Sequence, residues 1–308
     1  MIIDVHTHIG VNLKRLFSGL YPPIQAIKDL LIKMDIAGVN YSVSFPFESS
    51  LYDDPRDYYE NIPTGLMEFP YQIENQVVLD HVKNLGEGRI LPFISIDPKR
   101  KVREQLTQIK TWVKKYKIYG VKVHTKSTKT KGSELINSPF LKEIRRNNWP
   151  MLFHSYMQDV AHPLPILEFA LKNSDIRVCV AHMGGGIKDF YDELIITKPK
   201  NLFIDLSPFL ANCKDLPFDS KTRGYEILDL DYEEPIKALR ELIYRFGDYI
   251  VFGSDEPFTT YINPIEPSLE HRSTLTEEVD LIKKLSKPEF KMMAETNPKR
   301  FLGVKLKL

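Results

Sequence analysis

Short apolar runs alternate with amphipathic segments along the whole chain, and this alternation does most to narrow the folds open to it. The runs occupy residues 2–5, 41–45, 90–96, 120–123, 150–153, 176–180, 202–205 and 249–252. They are rich in Val, Ile, Leu and Phe without clean polar–apolar alternation, the pattern of parallel strands covered on both faces. Segments 24–37, 73–85, 102–116, 139–147, 165–172, 188–196, 234–246 and 277–285 read as helices, with a last one over 288–296. Val102, Leu106, Ile109 and Val113 form one apolar stripe at helical spacing. Gly38 and Gly86 stand where left-handed C-terminal stops are expected. Eight strand–helix units in order predict an α/β fold, a (β/α)8 TIM barrel spanning residues 1–308 as a single domain. A doubly wound open sheet is the alternative, but no GxGxxG follows the first strand. The connections 46–72, 207–233 and 254–277 are long, and in a barrel they rise over the catalytic face as a lid or as packing loops. The first is aromatic (Tyr52, Tyr58, Tyr59, Phe69, Tyr71).

Where the polar residues fall on this pattern is informative. His6 and His8 close the first run at i, i+2, a spacing that puts two side chains on one face of a strand. Converging imidazoles suit a metal ion, although two polar residues in the turn after an ordinary strand is the plainer account of a lone HxH. His124, His154, His182 and Asp255 fall at the C-terminal ends of four later strands, and Asp205 at the end of another. In a barrel those ends crowd into one bowl. A buried histidine satisfied by a hydrogen bond explains any one of these positions but not the set. His81 and His162 lie in or beside helical segments and read as surface or capping residues.

Composition excludes several functions. Hydrophobic residues make up 43% of the 308, enough for a large core, and Lys plus Arg (42) balances Asp plus Glu (41). There is thus no bulk field to attract nucleic acid or an anionic membrane. Cys179 and Cys213 make no CxxC, and Cys179 sits in an apolar run as a structural thiol. No apolar stretch reaches the roughly 18 residues of a membrane span, and no signal peptide is visible, so a cytoplasmic protein is expected.

The ordered markers, His-x-His, Gly-Val-Lys-Val-His, a His after the fifth strand, Ala-His-Met-Gly-Gly, Phe-Gly-Ser-Asp-Glu-Pro and Asn-Pro-Lys-Arg-Phe-Leu, span nearly the whole chain. Together they resemble the amidohydrolase superfamily, within it the amidohydrolase-related group that includes α-amino-β-carboxymuconate-ε-semialdehyde decarboxylase. The resemblance implies one divalent metal, usually zinc, on His6, His8, His154 and Asp255, with His182 as an unligated acid/base. Such a site keeps net positive charge and brings a bound water toward a pKa of about 7. Asp255 would both ligate and accept a proton, and Asp205 would orient a ligand from behind. Gly184, Gly185 and Gly186 would allow positive φ and close approach of backbone to substrate or metal. Lys122 has three readings: a carbamylated bridge to a second metal shared by His154 and His182; a cation for a substrate carboxylate, beside His124; or an ion-pair partner of Asp4 or Asp205.

The activity implied is metal-dependent hydrolysis of a small-molecule lactone, amide or ester. Nonoxidative decarboxylation of an unsaturated or aromatic acid is the alternative, with Lys122, Arg56 or Arg223 as its cation. A noncatalytic metal-binding scaffold fits less well, since no ligand of the set is missing. Related proteins are often dimers, so a homodimer is expected as well.

Overall fold

A computed structural model describes residues 1–11, 24–47, 69–262 and 269–306. Among these residues nine strands form one sheet in the order β2-β1-β3-β4-β5-β6-β7-β8-β9. They are β1 (Ile3–Val11), β2 (Ile24–Gln25), β3 (Tyr41–Pro46), β4 (Ile90–Ile96), β5 (Gly120–Val123), β6 (Met151–Phe153), β7 (Val178–Val180), β8 (Leu202–Asp205) and β9 (Ile250–Val251). All neighbours pair in parallel except the short β2, which runs antiparallel to the end of β1. The chain just past β9 also returns to β1. Val5 N–H donates to the Phe252 carbonyl at 3.0 Å, Asp255 N–H to His6 O at 2.8 Å and His8 N–H to Glu256 O at 2.8 Å. The fold is α/β and TIM-barrel-like.

Both faces of the sheet are dry, which explains the missing alternation in the sequence. Leu91, Phe93, Leu152, Cys179, Phe203 and Val251 point to an inner cluster. Their strand neighbours Ile90, Ile94, Met151, Val178, Ile204 and Ile250 pack outward in a second, larger one under the helices. Two residues beyond the last inner apolar side chain of a strand comes a polar one in the same phase. His154 follows Leu152, and Asp205 follows Phe203.

β1 needs a device to join this pattern. Ile3 and Val5 face the inner cluster, so strict alternation would next send Thr7 inward. The pairing with β3 slips between Asp4 and Thr7, a bulge that reverses the parity. Thr7 instead turns its hydroxyl to Ser42 (2.9 Å) and Ser44 (2.6 Å). His6 and His8 take the inward places and are both buried.

Several elements depart from the sequence expectation. The first helix starts at Ile27, not residue 24, because Ile24–Gln25 is taken by β2. Gly38 has the expected left-handed backbone (φ 81°), whereas Gly86 is right-handed (φ −79°) and the turn falls on Glu87 and Gly88. Residues 207–233 are not all loop. They hold the helix Phe209–Arg223, which buries Phe209, Ala211 and Leu216 despite Pro217 inside it. Residues 254–277 include a hairpin, β10 (Thr260–Ile262) with β11 (Leu269–His271), and the start of the helix Leu275–Ile282. Most of the long connection 46–72, including Arg56, lies outside the described residues. The closing Asn-Pro-Lys-Arg-Phe-Leu is itself a helix, Asn297–Leu302. Its Asn297 donates to Gly247 O and Ile250 O, and Phe301 packs on Phe93 and Phe203 in the inner cluster. No described helix is long and apolar enough to cross a membrane.

Candidate metal centre and active site

His6, His8 and Asp255 each place a ligand atom within 4.8 Å of the others'. One carboxylate oxygen of Asp255, Oδ1, is 3.2 Å from both His6 Nε2 and His8 Nε2. Asp255 reaches this position through a left-handed backbone (φ 61°), a strained state that Asp tolerates better than most residues. Its N–H on His6 O and its carbonyl, which accepts from Phe258 N–H at 2.7 Å, hold it there.

The two histidines are fixed differently. His6 Nδ1 donates to Asp205 Oδ2 at 2.5 Å and lies 3.0 Å from the Ser207 hydroxyl, so Nε2 carries the lone pair. Asp205 is itself anchored by Ser207 N–H at 2.7 Å. His8 Nδ1 is buried, with no hydrogen-bond partner among the described residues. Its ring is held by packing on Phe45, Phe47 and Phe258, and its carbonyl accepts from Gln25 at 2.9 Å.

This donor set fits a divalent ion. Bonds of about 2.0–2.1 Å in a tetrahedron put neighbouring ligand atoms about 3.3 Å apart, close to the Asp255–histidine separations. In the neutral His6 ring a lone pair faces Asp255 Oδ1 at 3.2 Å, a repulsion removed by a proton on Nε2 or by a cation between the two atoms. The electrostatics of His6 make the same demand. Burial and Lys122 press its pKa down, yet Asp205 and Asp255 outweigh them and the net shift is upward. The protein thus favours positive charge at this point.

His154, expected as a fourth donor, stands outside the trio. β6 ends at Phe153, and the His154 ring lies parallel to His124 with centroids 4.1 Å apart. Its Nδ1 is 3.1 Å from His182 Nε2. His182 Nδ1 donates to Ser207 O at 2.7 Å. A neutral His182 therefore accepts at Nε2, and the proton between the rings belongs to His154. His124 caps the short helix Thr125–Thr128, accepting from Ser127 N–H at 3.2 Å. Lys122 Nζ is 3.3 Å from His6 Nε2 and 4.5 Å from the centre of the Phe45 ring. Asp4, one suggested partner for Lys122, accepts from Ser254 N–H, Ser254 hydroxyl and His6 N–H.

His6, His8, Lys122, His124, His154, His182 and Asp255 line the floor of a cavity of about 650 Å³. The connection 207–233, expected over the catalytic face, does form the cavity wall, but as the helix Phe209–Arg223 that sequence reasoning missed, which contributes Asn212, Lys214, Asp215, Phe218 and Asp219. Tyr156 donates to Asp219 (2.7 Å), and Arg272 pairs with Asp215 (2.8 Å). Arg223, offered as a substrate cation, is exposed at the far end of this helix and does not line the cavity. Gly184, Gly185 and Gly186 do have positive φ, but they approach protein and not the cavity. A Cβ on Gly185 would meet Met157 N at 3.0 Å, and one on Gly184 the Phe190 ring at 3.2 Å.

The Amidohydrolase family model matches residues 3–304, with the His-Asp centre inside the match. The chain belongs to the amidohydrolase family. No curated protein sequence matches it significantly. Among solved structures it is similar to a probable 2-pyrone-4,6-dicarboxylic acid hydrolase from Acinetobacter baumannii with citric acid bound (TM-score 0.58, 15% identity, 98% of this chain and 99% of that one). It is also similar to 5-carboxyvanillate decarboxylase from Sphingomonas paucimobilis (0.59, 13%, 99% of each). A Burkholderia multivorans amidohydrolase with bound zinc gives 0.60 at 14% identity, covering 99% of this chain and 100% of that one. At these identities the likeness is one of fold. Proteins of this fold thus include both a probable hydrolase and a decarboxylase.

The protonation states on this amidohydrolase floor follow from burial. Burial pushes the His8 and His182 imidazoles each down to about 4. Burial also lowers His154, and the neighbouring His124 and His182 lower it further. For Asp255 burial acts upward, but the positive charge that His6 can carry and hydrogen bonds from both histidines hold the carboxyl well below its ordinary range. At neutral pH, His8, His154 and His182 are neutral and Asp255 is ionised.

Proposed function

We propose that this amidohydrolase is a metal-dependent hydrolase acting on a lactone, amide or ester of a small molecule. We read the backbone bonds between β1 and residues 252–256 as closing a full (β/α)8 barrel, which sets His6, His8 and Asp255 around one divalent ion, zinc in the first instance. When bound, such an ion supplies Lewis acidity toward a carbonyl oxygen and acidity to water. The ionised Asp255 accepts a proton from the attacking water. His182, an acceptor at Nε2, takes that proton on from Asp255 and returns it to the leaving group.

The observation that carries this reading is the fixed tautomer of His182. With Nδ1–H tied to Ser207 O, the atom left for chemistry is an acceptor. A floor made of bases suits deprotonation of water. Decarboxylation needs instead a proton for the carbanion and a cation for the departing carboxylate. That second reading rests on Lys122, whose ammonium is 3.3 Å from His6 Nε2. Purified zinc-loaded protein tested against lactones, esters and amides, and against carboxylated phenols and dienes, separates the two. Turnover confined to carbonyl substrates supports hydrolysis, and release of carbon dioxide overturns it.

Lys122 also yields a prediction about the metal. As an ammonium beside His6 it competes with an incoming ion, so Lys122→Met is expected to tighten zinc binding by about tenfold. A carbamylated Lys122 would be a ligand, and the same variant would then lose metal. Competition with a chromophoric chelator, with mass measurement of the intact protein for a carbamate, distinguishes the outcomes.

A further inference from the structure

Glu278 lies on the helix Leu275–Ile282, away from the cavity lining, and is 1% exposed. Its carboxylate does not meet a lysine or arginine in any described ion pair. It accepts from two consecutive backbone donors, Phe209 N–H at 3.2 Å and Leu210 N–H at 3.1 Å. These belong to the first turn of the helix Phe209–Arg223, where N–H groups have no partner within the helix.

The turn that Glu278 grips begins at Ser207, and Ser207 touches both halves of the site. Its carbonyl accepts from His182 Nδ1 at 2.7 Å and its hydroxyl lies 3.0 Å from His6 Nδ1. Its N–H donates to Asp205, the carboxylate that orients His6. From the other side Asn212 donates to Leu206 O (3.0 Å) and Ser207 O (3.2 Å). We propose that Glu278 is a positioning residue: by clamping residues 209 and 210 it fixes the Ser207 carbonyl, and through it the tautomer and direction of His182.

The physical ground is that a carbonyl can orient an imidazole only if its own peptide is held. Ser207 is followed by Pro208, which has no N–H to contribute, so the next anchors along the chain are the two N–H groups on Glu278. Burying a carboxylate for this purpose is costly, and burial pushes Glu278 up to about 7. A residue kept for stability alone would be better as a neutral or apolar side chain. Removing the charge relieves that cost, so the glutamine variant is expected to fold.

The role of His182 as acid/base comes from the proposed function, whereas its positioning can be read without any activity. In protein labelled with 15N at histidine, the His182 Nδ1–H resonance is assigned by its loss in His182→Asn. In Glu278→Gln, with one acceptor oxygen fewer, that resonance should move upfield or broaden, with zinc content and Tm held. On whichever substrate the panel identifies, kcat should fall by about tenfold at unchanged KM. Leu242→Ala, a buried cavity variant on the helix Pro235–Phe246, should lower Tm and leave the resonance in place. Should the glutamine variant not fold, Glu278→Asp, whose shorter carboxylate cannot reach both N–H groups, takes its place with the same readouts. An unmoved His182 resonance in the folded variant overturns the proposal. Absence of turnover in wild-type protein bears on the hydrolase reading only.

Discussion

His182→Asn should lower kcat by about 10²- to 10⁴-fold, the usual contribution of a positioned acid/base, while leaving zinc content unchanged. The substitution is chosen for its geometry. An asparagine amide can occupy the place of Nδ1 and keep the hydrogen bond to Ser207 O, but it has nothing at Nε2. Asparagine also accepts the left-handed backbone of residue 182 (φ 55°), so the turn through Gly186 is not disturbed. The variant therefore deletes one proton acceptor and, with it, the hydrogen bond from His154 Nδ1. Metal analysis beside steady-state kinetics checks it. Activity within a few-fold of wild type would remove His182 from the chemistry and return the proton transfers to Asp255.

The second large effect is expected at Asp255. Asp255→Asn keeps the shape and tolerates φ 61°, so the peptide that links Asp255 N–H to His6 O survives. It replaces the one carboxylate of the trio by a neutral amide, a poor zinc ligand. Two imidazoles remain, and zinc content after dialysis should fall to less than about a tenth of one per chain. Turnover should fall by about 10³-fold or more, because both the ion and the proton acceptor are lost. Added zinc should restore little, unlike in variants that only weaken binding. A variant that retains stoichiometric zinc would place the ion on other residues.

How far the sequence could be read depends on which physical rule was at stake. Parallel strands covered on both faces betray themselves as apolar runs, so β4, β5 and β8 lie within the bounds read from the sequence. His6 and His8 were legible because i, i+2 spacing on a strand admits one geometry. The bulge that turns them inward was not, since nothing in Asp4-Val5-His6-Thr7 marks it. The helix Phe209–Arg223 was hidden by Pro217 and by the lack of a clear apolar stripe, so the segment could be placed over the catalytic face but not the side chains it presents to the cavity. His154 shows a different limit. Its position at a strand end was visible, but whether its ring turns to the trio or to His182 depends on backbone direction at the end of a three-residue strand. Glu278 left no signal at all, because the N–H groups of Phe209 and Leu210 that it holds are backbone and any sequence supplies those.

The reading as an enzyme depends on a cation at the point where β1 and the segment after β9 meet. Anomalous diffraction at the zinc edge, on crystals of zinc-loaded protein, tests that directly. The account predicts one strong peak per chain within about 2.0–2.2 Å of His6, His8 and Asp255. A peak on other side chains, or none at that junction in protein that carries zinc, contradicts it.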